Sequence, residues 1–89
     1  MIYHNLVGLI IYDLVTMTTD EHNYLKKIGE NISNLRKEKN LSQLDIGDII
    51  NMEKSNLSAI ENGRQNPATL TLKKIADAIG CEVIDFFKI

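Results

Sequence analysis

One cysteine, one proline and two isolated histidines leave this 89-residue chain short of several kinds of chemistry. Cys81 has no partner for an internal disulfide, which excludes a stapled, secreted mini-scaffold. Its setting in "AIGCEVIDFF" reads as a small buried hydrophobe rather than a reactive thiol or a ligand. His4 and His22 share no ligand spacing with it, so neither a metal centre nor a cofactor is expected. No nucleophile stands beside a base, and a core this small encloses no deep pocket, so the chain reads as a non-enzyme. Membrane-length apolar runs are missing too. The stretch "LVGLIIYDLV" at residues 6–15 falls short of the roughly 20 residues that a span requires. It has no basic residues ahead of it and is interrupted by Asp13, which excludes a signal-peptide reading.

An excess of either charge is also lacking. Ten Lys and Arg stand against twelve Asp and Glu, a formal net charge of −2. That excludes indiscriminate nucleic-acid binding through a broadly basic surface. The charges are unevenly spread. Residues 1–24 hold three acids and no Lys or Arg, so residues 25–89 carry all ten bases against nine acids, formally +1. A nucleic-acid binder of that charge needs well-placed phosphate contacts and two-fold pairing.

What is present is a 44% apolar composition patterned for helices, enough for one all-α domain. Residues 1–24 divide off as an apolar arm and a polar linker, with the domain expected over 25–89. The run 6–15 favours a strand at Ile10, Ile11, Tyr12 and Val15, while Leu6, Leu9, Ile10 and Asp13 also tolerate a helical turn or two. It can serve as a dimer or domain-packing arm, an extension ahead of a start at Met17, or a direct contact to DNA or ligand. "TMTTDEHN" follows as a polar linker and helix start. Leu25, Ile28, Ile32 and Leu35 then lie on one face of a helix that ends at "KEKN". A second helix opens on Ser42, with Asp45 completing a capping box and Leu41 and Ile46 placed as a hydrophobic staple. Gly47 permits another helix to approach closely, and Asn51 suits a left-handed turn. A third short helix covers 54–61, burying Leu57 and Ile60. "ENGRQNP" is a loop, and Leu72, Ile75, Ala76 and Ile79 stripe a fourth helix stopped by Gly80. The tail "CEVIDFFKI" is expected as a fifth, with Val83, Phe86 and Phe87 in the core.

Two short helices separated by so few residues must cross at a large angle, leaving the outer face of the third exposed. Here the chain closely resembles the lambda-repressor-like helix-turn-helix family, the XRE or Cro/C1 type, over residues 25–87. The resemblance rests on the ordered set Ser42-Gln43, Ile46-Gly47, Ser58, Ile60-Glu61-Asn62-Gly63, Pro67 and Ile75-Ala76. It implies a five-helix domain that binds double-stranded DNA, with helix 54–61 in the major groove. Lys54, Ser55, Ser58 and Ala59 are then the base-reading positions. Lysine donates to guanine, the serines donate or accept, and the alanine methyl meets a thymine methyl. Gln43, at a helix N-terminus, and Asn56, Asn62, Arg64, Gln65 and Asn66 are expected to contact phosphates. The resemblance also pairs Arg36 with Glu61 as a structural ion pair. Departures from the family pattern are Glu53 and Ala68 at cap positions, and apolar Leu44 and Ile49 where charges are usual.

The expected function is sequence-specific DNA binding by a homodimeric cytoplasmic regulator, a repressor or autoregulator reading a palindromic operator. Its C-terminal segment Val83–Ile89 is the favoured dimer interface. The alternative is a protein-interaction adaptor that keeps the helix-turn-helix fold and uses Leu44, Ile49 or the arm.

Overall fold

The computed structural model describes residues 17–88. The apolar run at 6–15, read above as an arm, lies outside the described residues.

α1 (Thr19–Glu38) begins six residues before the apolar periodicity does. Thr18 Oγ1 accepts from the Glu21 N–H at 3.1 Å, and Glu21 Oε1 accepts from the Thr18 N–H at 2.8 Å. This capping box turns most of "TMTTDEHN" into helix. Asp20 and Glu21 in its first turn and Arg36 and Lys37 in its last suit the helix dipole. α2 (Gln43–Ile50) has the expected box, Ser42 Oγ accepting from the Asp45 N–H at 2.9 Å and Asp45 Oδ2 from the Ser42 N–H at 2.8 Å. It ends on Asn51 in the left-handed region, φ 57°. α3 (Lys54–Glu61) and α4 (Thr69–Ile79) start at Glu53 and Ala68, neither of which caps through its side chain.

The chain closes with a 3₁₀ helix, Val83–Phe87, so the described domain has four α-helices rather than five. Three residues per turn bring Val83 and Phe86 onto one side, where Phe86 is fully buried and Val83 packs against the core. Phe87, expected inside, falls on the other side and is 38% exposed.

The core gathers Ile28 and Ile32 from α1, Ile46 from α2, Leu57 and Ile60 from α3, and Leu72, Ile75, Ala76 and Ile79 from α4 around Phe86. These are the apolar stripes of the sequence. Cys81 packs at the margin of this cluster, where burial, then Asp85 and Glu82, push its thiol pKa upward and away from reactivity. α1 packs on α3 and on the 3₁₀ helix, and α2 packs on α3 and α4. Gly29 makes the first of these contacts possible: a Cβ there would lie 2.6 Å from the Ile60 carbonyl oxygen and closer still to that of Glu61. Gly47 admits the turn as well as the start of the next helix. The nearest backbone it admits is the Met52 carbonyl of the turn after its own helix, with the N–H nitrogen of Lys54, the first residue of α3, 3.9 Å from where a Cβ would stand.

Candidate nucleic-acid interface

α3 is anchored along one side by Leu57, Ile60 and Glu61, which are buried. Its first turn projects outward, with Lys54, Ser55 and Asn56 exposed. Ser58 and Ala59 sit lower on the helix and are half-buried. Ser58 is also engaged locally, since Asn62 Nδ2 donates to its carbonyl at 2.8 Å and lies 3.4 Å from its hydroxyl. Asn62 thus stabilises the end of α3 with the amide that a phosphate contact would use.

Behind α3 lies a bonded polar group. Arg36 and Glu61 are each only 7% exposed. Arg36 Nε donates to Glu61 Oε2 at 2.8 Å and its terminal Nη2 to Oε1 at 2.9 Å, the fork geometry that suits guanidinium to carboxylate. Nη1 of Arg36 donates to the Leu41 carbonyl at 2.8 Å. Gln43 Nε2 donates to Glu61 Oε1 at 3.0 Å, which joins the start of α2 to the end of α3. Burial pushes the Glu61 carboxyl upward. Hydrogen bonds from Arg36 and Gln43, the Arg36 charge and Ser33 outweigh it and hold Glu61 below the ordinary carboxylate value. Arg36 is raised in turn, chiefly by its hydrogen bond to Glu61.

Among the described residues, one N–H and the carbonyl oxygen of the Gln43 amide have no partner and face a ligand position at the α2 N-terminus. Ser33, Asn34 and Lys37 of α1 line the same notch, of about 480 Å³, together with Gln43, Glu61 and Asn62. Sequence reading left these three out. The available signal was the spacing of Asn34 and Lys37, three residues apart on the polar face of α1 and flanking Arg36 in sequence. Gln65 and Asn66, grouped with Arg64 from sequence, instead line a separate apolar groove beside the start of α1. Arg64 is exposed, with its N–H bonded to the Ala59 carbonyl at 2.9 Å. Among the described residues, no three His, Cys, Asp or Glu are placed to hold a metal ion together.

A positioning helix, a left-handed turn and a second helix with an exposed polar first turn define a helix-turn-helix protein. Comparison with known proteins places it further. The helix-turn-helix family model HTH_3 matches residues 32–86. The ImmF control region 10 kDa protein of Bacillus phage phi105 is 43% identical over 58 residues, covering 65% of this chain and 64% of its own. The immunity repressor protein of the same phage is 38% identical over 56 residues, covering 63% of this chain and 39% of its own. The chain therefore spans less than two thirds of the length of either relative. The crystal structure of the restriction-modification controller protein C.AhdI from Aeromonas hydrophila superposes with a TM-score of 0.68 at 28% identity, over 71% of this chain and 96% of that one. The chain belongs to the helix-turn-helix DNA-binding family of the XRE, Cro/C1 type, whose members are regulators and not enzymes.

Proposed function

We propose that this protein is a transcriptional repressor that binds double-stranded DNA as a homodimer, setting α3 of each copy into the major groove of a palindromic operator. The observation that carries this reading is the exposed first turn of α3 beside the half-free Gln43 amide, both fixed by the Arg36–Glu61–Gln43 bonds. In it Lys54 and Ser55, with Ser58 and Ala59 deeper on the helix, read base edges. Gln43, Asn56, Arg64 and the notch residues Asn34 and Lys37 grip phosphate, with Asn62, Gln65 and Asn66 closing the loop side. Relatives named as an immunity repressor and a restriction-modification controller support regulation by occupancy. No helix among the described residues is long and apolar enough to cross a membrane.

Two copies set equivalent helices about one DNA turn apart, roughly 34–36 Å. Ile84, which is 67% exposed, offers apolar surface for that pairing. Selection of duplexes from a random pool, followed by sedimentation of the complex, tests the reading. A palindromic consensus and two chains per duplex are expected. Failure to enrich any duplex refutes it.

A second reading is favoured by Leu44 and Ile49, which are 58% and 59% exposed on α2. An adaptor would dock a partner there and enrich no duplex.

A further inference from the structure

An apolar surface feature lies apart from the exposed first turn of α3 and meets that helix only near its end, at Ile60. It is a groove of about 480 Å³ formed where α1 begins, lined by Met17, Tyr24, Ile28, Pro67, Leu72 and Phe87. Tyr24 and Phe87 are 51% and 38% exposed, with ring centroids 6.5 Å apart. Asp20 and Glu21 line its α1 side, so an acidic ligand seated within the groove is repelled there. An apolar segment with little charge suits it.

The chain holds one such segment, and it is tethered there. Residues 6–15 are apolar but for Gly8, Tyr12 and Asp13, and Thr16 alone separates them from Met17, itself a lining residue. Extended, ten residues reach up to about 33 Å, ample to run along a groove that starts at their own attachment point. A tether this short gives an effective concentration on the order of millimolar, ahead of most free competitors. We propose that Leu6–Val15 docks in cis into the groove between α1, the 64–67 loop and the 3₁₀ helix, covering Tyr24 and Phe87.

Docking has a consequence at the DNA face, and this step rests on the DNA-binding function proposed above. Gln65 and Asn66 line the same groove. A segment lying against them braces the loop that leads out of α3 and lowers the ordering cost of its phosphate contacts.

The test uses the full chain, isotopically labelled, without DNA. Ile10→Asp/Ile11→Asp is expected to shift amide resonances at Tyr24, Ile28, Leu72 and Phe87, leaving those around Leu44 and Ile49 and the sedimented mass unchanged. Tyr24→Asp, at a half-exposed site that spares the core, is expected to move the amides of residues 9–15 and speed their hydrogen exchange by about tenfold or more. Shifts centred on Leu44 and Ile49, no shifts at all, or a halved mass that reveals docking on a second copy would each overturn the proposal. Affinity is read separately. The double variant should lose the same factor on every duplex, on the order of threefold to tenfold, from the loop. Docking with unchanged affinity removes the bracing role, while a wild-type chain that binds no duplex refutes the DNA reading and leaves the docking result standing.

Discussion

Replacing Arg36 with alanine should remove most of the domain's stability and reverse the sign of its pH dependence. The substitution deletes two hydrogen bonds to Glu61 and one to the Leu41 carbonyl. It leaves the carboxylate buried with Gln43 as its remaining strong donor. Breaking a buried ion pair from one side costs about 3–5 kcal/mol. A domain of this size, at roughly 0.05–0.15 kcal/mol per residue, holds only about 4–11 kcal/mol in all. The wild-type Glu61 carboxyl is held below its unfolded value. The unfolded chain therefore binds the proton first, and the contribution of Glu61, complete above the unfolded pKa near 4.3, fades as pH falls through the folded value. Without Arg36, burial dominates and raises the folded pKa above the unfolded one. The variant should then gain stability as pH falls from 7 towards 5, where the wild type is flat. Urea unfolding followed by circular dichroism, at pH 7 and at pH 5, measures both effects. Arg36→Met/Glu61→Leu should recover much of the loss, because an apolar pair of similar volume leaves no stranded charge. A loss under about 1 kcal/mol for Arg36→Ala, or a variant less stable at pH 5 than at pH 7, would refute the reasoning.

Gly29→Ala should destabilise by about 1–3 kcal/mol, since its methyl group meets the Ile60 and Glu61 carbonyls and must push α1 off the end of α3; thermal melting checks this. Lys54→Ala should lower affinity and relax preference at one position of each half-site, a bidentate base contact being worth about 1–3 kcal/mol of discrimination. Gln43→Ala should instead weaken all duplexes evenly, and anisotropy titrations on single-base operator variants separate the two patterns.

The helices were legible in the sequence because each announces itself locally. Ser42 with Asp45, Asn51, Gly80 and the stripe of Leu72, Ile75, Ala76 and Ile79 all carry their meaning within a few residues. The helix start expected within "TMTTDEHN" falls at Thr19, held by a polar cap where apolar spacing gives no signal. The tail was assigned a core Phe87 on the period of an α-helix, and a 3₁₀ helix turns that residue outward. Long-range polar contacts were the least legible. Family resemblance alone suggested Arg36 beside Glu61, 25 residues apart, and nothing in the spacing announced Gln43 as the third member. Asn31 shows the same limit. Its amide donates to the Phe86 carbonyl at 2.9 Å and the Lys88 carbonyl at 3.1 Å, tying α1 to the tail, a contact that no local pattern encodes.

The bonds among Arg36, Glu61 and Gln43 separate posture from vocabulary. Glu61 ends α3, Arg36 and Gln43 hold it from α1 and α2, and Lys54 and Ser55 stand free of these bonds on the outer turn. On the proposed reading, in which Lys54 and Ser55 touch base edges, a lineage can exchange that pair and acquire a new operator without disturbing the frame that presents it. The reverse does not hold. A change at Glu61 would tilt every contact at once, so a drifting operator should be answered by substitutions at 54 and 55, with 36, 43 and 61 standing still.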